Sequence, residues 1–271
     1  MSGLQFILLP NVLTNPHFVQ SHRRDTVPRD PEVQTRHPPF FDIPLYTTAA
    51  RGAVYVNFHW LSVSVCPTCF FASSDPDYFL QPANRRAQVH EMHPLALQHV
   101  VDGWAARQAL ARDLSPTFFT DHRTLADALR SYELAIASSE TLYGANPHTF
   151  AIELSRIGNY HLRLGLLQEE AKAAPEVVAG AYQKALEVFQ KAYVYLQGPV
   201  FYRNVYQIIA LAIYFSDDTT AYKYLARMKE LGHAGGAAAE VSAQGRPTLG
   251  RYLALAEKAW EDREYHRWGG A

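Results

Sequence analysis

Cysteine is nearly missing from this chain: Cys66 and Cys69 are the only two in 271 residues. A disulfide scaffold needs several pairs, so the fold must rest on a packed core. An excess of either charge is missing too. Lys and Arg number 25 against 26 Asp and Glu, the net charge is -1 and the pI is near 6.9. That balance gives no global pull toward nucleic acid or an anionic membrane. No apolar run reaches the roughly 20 residues that a spanning helix needs. The opening Met1–Pro10 is apolar but has no basic lead and no small-residue cleavage site, so neither a leader nor membrane insertion is expected, and the expected location is the cytoplasm. Patterns that announce common catalytic sites are also lacking: no Gly-x-Ser-x-Gly, no P-loop, no Gly-x-Gly-x-x-Gly. His90-Glu-Met-His93 is one residue short of the zinc-protease helix. The expectation is a protein that is not an enzyme.

What the chain does have is aromatic residues, 16 Tyr and 14 Phe, and a repeated small-residue pattern. Ala128-x3-Tyr132-x2-Ala135, Ala185-x3-Phe189-x2-Ala192 and Ala221-x3-Leu225-x2-Met228 each place three side chains on one helical face. Small residues there let a neighbouring helix come close. The second and third copies lie 36 residues apart, near the period of tetratricopeptide repeats, which this part of the chain resembles. Periodicity predicts helices over about 95–114 (apolar stripe Leu97, Val100, Val101, Trp104, Leu110), 121–143 with Asp121 as N-cap, 149–167, 175–196 closed by Gly198-Pro199, 201–215, 219–231 and 247–265. The last should cap the array, and 232–245, rich in Gly and Ala, reads as a flexible loop.

Residues 1–94 differ. Proline is dense (Pro10, Pro16, Pro28, Pro31, Pro38, Pro39, Pro44) and excludes long helices, so a small β-rich part is expected, ahead of a helical part over 95–271. Its clearest strand is Val54–Val65, one face carrying Val54, Val56, Phe58 and Trp60. The strand runs into Cys66-Pro67-Thr68-Cys69, the way a zinc knuckle aims two sulfurs at one point. Two further ligands are needed for one structural zinc. His90 and His93 are candidates one helical turn apart, and His17, His22 and His59 lie in the same region. The alternative to a metal is a knuckle that kept its turn and is held by the core.

The proline-rich front, the Cys-Pro-x-Cys turn, the stretch Arg123–Ile136 and the helical hairpins together resemble the bacterial domain of unknown function 2225 family. The resemblance implies a mainly α fold: tetratricopeptide-like antiparallel hairpins behind a degenerate zinc-ribbon-like front. The family usually carries two Cys-Pro-x-Cys-Gly knuckles. Here Phe70 stands where the second glycine is expected, and Leu9-Pro10-Asn11-Val12-Leu13 lies where the first knuckle should be. The implied four-sulfur site therefore cannot form within one chain. Helical arrays capture segments of other proteins, and the first helices line the inner curve in tetratricopeptide arrays. The resemblance so points to Glu153, Arg156, Tyr160, Arg163, Tyr202, Tyr206 and Gln207 as the partner-binding residues of a non-enzymatic scaffold. The alternative reading is a zinc-binding, nucleic-acid-associated module built on Cys66 and Cys69 with histidine ligands, against which the neutral charge argues.

Overall fold

In the computed structural model, residues 34–36, 41, 45–47, 58–75, 94–116, 118–119, 123–143, 150–233 and 246–267 are described. The elements are strands β1 (Gln34–Arg36) and β2 (Leu45–Thr47), which pair with each other, a one-turn helix α1 (Phe58–Leu61), and strands β3 (Ser64–Val65) and β4 (Ala72–Ser73). Helices follow: α2 (Pro94–Asp102), α3 (Trp104–Ala111), α4 (Leu125–Tyr143), α5 (Phe150–Glu170), α6 (Pro175–Tyr193), α7 (Gly198–Tyr214), α8 (Asp218–His233) and α9 (Arg246–Glu261). The protein is mainly helical with very little sheet. Residues 54–57, His17, His22, His90, His93, Asp121 and the 234–245 stretch lie outside the described residues.

The chain gathers into two compact units, and the composition border at residue 94 falls inside the first. That unit joins the Phe58–Asp75 stretch to α2 through α5, with α4 packing against α5, against α2 and α3, and against both strands of the β3–β4 hairpin. Ala128, Tyr132 and Ala135 are fully buried on α4. The helix opens with a reciprocal cap: the Asp127 N–H donates to Thr124 Oγ1 at 3.1 Å while the Thr124 N–H donates to the Asp127 carboxylate at 3.1 Å. Thr124 thus caps the helix, three residues inside the N-cap expected at Asp121, because its Thr-x-x-Asp spacing satisfies two amide groups at once.

The second unit is centred on α7. From Asn204 to Ile213 every side chain of this helix is buried, as suits a helix that is apolar on all sides. Helices α8 and α9 pack on it and on each other. Ala185, Phe189 and Ala192 of α6 and Ala221, Leu225 and Met228 of α8 are buried here. Gly198-Pro199 does not trail α6 as expected. It opens α7 instead, with Gly198 at φ +63 and Pro199 in the first turn, where a missing N–H costs no hydrogen bond.

Candidate functional site

Of the strand expected over Val54–Val65, the described residues are strand only at Ser64–Val65. Phe58–Leu61 is helical, and the carbonyls of His59 and Trp60 are taken by side chains rather than by a neighbouring strand. Tyr132 donates to the His59 carbonyl at 3.1 Å, and Arg123 Nη1 to the carbonyls of Val63 at 2.5 Å and Trp60 at 3.3 Å. Tertiary partners here outweigh the β-propensity of the aromatic run. Arg123 is itself buried, its guanidinium 4.4 Å above the Phe118 ring. Burial pushes its pKa down to about 10, against the pull of Asp127 and Tyr132, and leaves it a cation at neutral pH.

Strand β3 then enters the Cys66–Cys69 turn and returns as β4, antiparallel, with Ser64 opposite Ser73 and Val65 opposite Ala72. The Cys66 N–H donates to the Phe71 carbonyl at 2.8 Å, and the Phe70 N–H to the Cys66 carbonyl at 2.9 Å. Phe70 sits at φ +56, in the left-handed region that favours glycine. The turn has kept a glycine backbone with a phenylalanine in it. Both cysteines are buried thiols, not a disulfide, while Pro67 and Thr68 are exposed. The hydrogen bond with Cys66, and burial after it, hold the Cys69 thiol far above the ordinary thiol range. Among the described residues no three His, Cys, Asp or Glu side chains converge as an ion site. His59 is buried on α1 and belongs to no such group.

What does reach the turn is Arg107, 1% exposed on α3. Its Nε donates to the Cys69 carbonyl at 3.2 Å and its Nη2 to the Val100 carbonyl. Desolvation lowers its pKa, and the two cysteines oppose that shift. The apolar stripe expected on 95–114 is displaced accordingly. Val101 and Trp104 are 47% and 46% exposed, Val100 and Arg107 are buried, and Gly103 between them is half-buried. Gly103 lets Thr141 and the guanidinium come close, since a Cβ there would meet Thr141 Cγ2 at 2.6 Å and Arg107 Nη1 at 2.7 Å. The missed signal was this glycine, three residues from Val100 and four from Arg107 on one helical face.

The seven residues expected to line a partner groove lie mostly inside. Glu153 and Tyr160 are buried in the first unit, and Tyr202, Tyr206 and Gln207 in the second. Arg156 and Arg163 are half-buried. The Tyr160 hydroxyl accepts the Ser74 N–H at 2.9 Å, and Arg156 pairs with Glu153 and with Asp75. These groups fasten the β3–β4 hairpin to α5. In the second unit Gln207 Nε2 donates to the Phe41 carbonyl at 2.9 Å. Apart from Tyr202, these buried side chains cannot touch a partner while the helices stay packed.

An opening does exist at the α6–α7 corner, a cleft of about 590 Å³. Tyr193, Val194, Leu196, Phe201, Tyr202 and Leu231 give it apolar and aromatic walls, and Arg227 adds a guanidinium. Tyr193 and Phe201 stand 5.3 Å apart between centroids, and Tyr224 meets Tyr193 edge-on at 5.0 Å. Val194, Tyr195 and Val200, in and beside this corner in sequence, are 69%, 58% and 46% exposed. Of the seven expected residues only Tyr202 lines the cleft.

A mainly helical protein with a small sheet turning on a Cys-Pro-x-Cys motif is the class these observations define. Residues 54–234, most of the chain, match the family described as an uncharacterized protein conserved in bacteria (DUF2225), and the chain belongs to that family. No curated protein and no solved structure matches it. Among the described residues no helix is long and apolar enough to cross a membrane.

Proposed function

We propose that this chain is a non-enzymatic interaction module that holds an apolar segment of another protein in the cleft at the α6–α7 corner. Its helices read as tetratricopeptide-like hairpins, a reading supported by the burial of all three small-residue trios. Its front reads as a degenerate zinc ribbon. Two thiols not joined as a disulfide suit the reducing cytoplasm. The observation that carries the proposal is the cleft with exposed Val194, Tyr195 and Val200 at its corner. Large apolar side chains clustered in the open beside an aromatic-walled hollow are the usual mark of a recognition surface. A helix or extended segment presenting two or three apolar anchors fits such a hollow.

The test is a double variant, Tyr195→Asp with Val200→Asp, compared with the unaltered chain in co-purification from bacterial cells. Both positions are exposed, so the melting temperature and helical circular dichroism should stay the same while the retained partner disappears. Retention of the same partner by the variant would sink the proposal.

A further inference from the structure

We infer that Arg107, and not a metal ion, holds the Cys66–Cys69 turn in place. The family's paired knuckles imply a four-sulfur metal site, and the donors present among the described residues do not fit one. The turn supplies two sulfurs, and no third His, Cys, Asp or Glu joins them among the described residues. What the turn is bonded to is instead a guanidinium. Arg107 bonds the Cys69 carbonyl through Nε and the Val100 carbonyl through Nη2, so one side chain ties the turn to α2 and α3. It lies within electrostatic reach of both cysteines. A guanidinium has five N–H donors and no acceptor, so it offers a metal nothing and places a fixed positive charge beside the sulfurs. Its Nη1 is buried with no hydrogen-bond partner among the described residues. That donor faces Gly103, where a methyl group would come within 2.7 Å of it, so the surroundings are fitted closely to this side chain.

Other contacts do the rest of a metal's structural work. The Ala72 N–H donates to Ser138 Oγ at 3.0 Å, the Ser74 N–H to the Tyr160 hydroxyl, and Arg123 holds the carbonyls of Trp60 and Val63. One leg of the hairpin is therefore bonded to α4 and α5, and the residues before the other to Arg123 just before α4, without an ion. Phe70 keeps the left-handed turn. The knuckle's shape persists on hydrogen bonds.

The experiment uses the full chain, purified with zinc present throughout and then washed. Elemental mass spectrometry should find zinc well below one per chain, and thermal melts with and without a strong chelator should coincide. Arg107→Met should lower the melting temperature by roughly 2–8 °C and speed the reaction of the thiols with an aromatic disulfide reagent. Gly103→Ala should act in the same direction by crowding the guanidinium. One zinc per chain, lost in the Cys66→Ser, Cys69→Ser double variant, would overturn the inference, as would a chelator-induced fall in the melting temperature. An Arg107→Met chain with unchanged melting and unchanged thiol reactivity would overturn it as well. If Arg107→Met fails to fold, the zinc content and chelator melts of the unaltered chain still decide the matter.

Discussion

Asp127 shows how much one side chain can hold. Its carboxylate is buried, yet it accepts from the Ser115 N–H and Oγ at 2.9 and 2.8 Å and from the Thr124 N–H and Oγ1 at 3.1 and 2.8 Å. Burial alone would raise its pKa, but these four donors together outweigh burial and bring it below the ordinary value. The folded pKa is therefore depressed relative to the unfolded chain. The stabilisation is fully present above the unfolded value, about pH 4, and is lost as pH falls through the folded one. Asp127→Asn should cost about 1–2 kcal/mol at pH 7, measured by urea unfolding, and that gap should narrow once the pH is below the folded pKa. An equal gap at both pH values would show that the charge does not matter. The Thr-x-x-Asp spacing is legible in the sequence, but Asp121 three residues earlier carries an equally good capping letter. For Arg107 the sequence held only the faint signal of Gly103 four residues before it. Periodicity counts arginine as a solvent-facing residue, and its bonds to the carbonyls of Val100, on the preceding helix, and of Cys69, 38 residues earlier, hold it inside.

At the scale of elements, the helices were the most legible part, because period and breakers agree. The three small-residue trios are core throughout, as their spacing requires. Ends were less secure where a glycine can either close one helix or open the next, as at Gly198. The front was least legible, since strand propensity in Phe58–Leu61 is overruled by donors on α4 and by Arg123 just before it. The knuckle offers a sharp check of backbone against side chain. Phe70 is held at φ +56, where any Cβ is strained by roughly 1–2 kcal/mol. Truncation to Ala keeps that strain and loses the ring, whereas truncation to Gly loses the ring and releases the strain. Phe70→Gly should therefore be more stable than Phe70→Ala by about 1 kcal/mol, the reverse of the usual order. Denaturant midpoints of the two variants settle it, and a more stable alanine variant would mean the turn is not left-handed at this residue.

For the whole molecule, family membership and a mainly helical fold could be read in advance, and the surface proposed for binding could not. Analogy with helical arrays pointed to the first helices, where Glu153, Tyr160, Tyr206 and Gln207 turn out to be packing residues. A repeat motif reports which side chains meet a neighbouring helix, while the open ground is set by how α6, α7 and α8 splay around Tyr193, Phe201 and Leu231. The proposed module depends on that ground being occupied by a partner in the cell. The most direct measurement is photo-crosslinking in living bacteria from a benzophenone amino acid placed at Val194, with Ile152, a comparably open apolar site in the first unit, as the control position. The account predicts a discrete adduct with a second protein from position 194, absent from position 152 and lost when Val200→Asp is added. No adduct from position 194, or the same adducts from both positions, would contradict it.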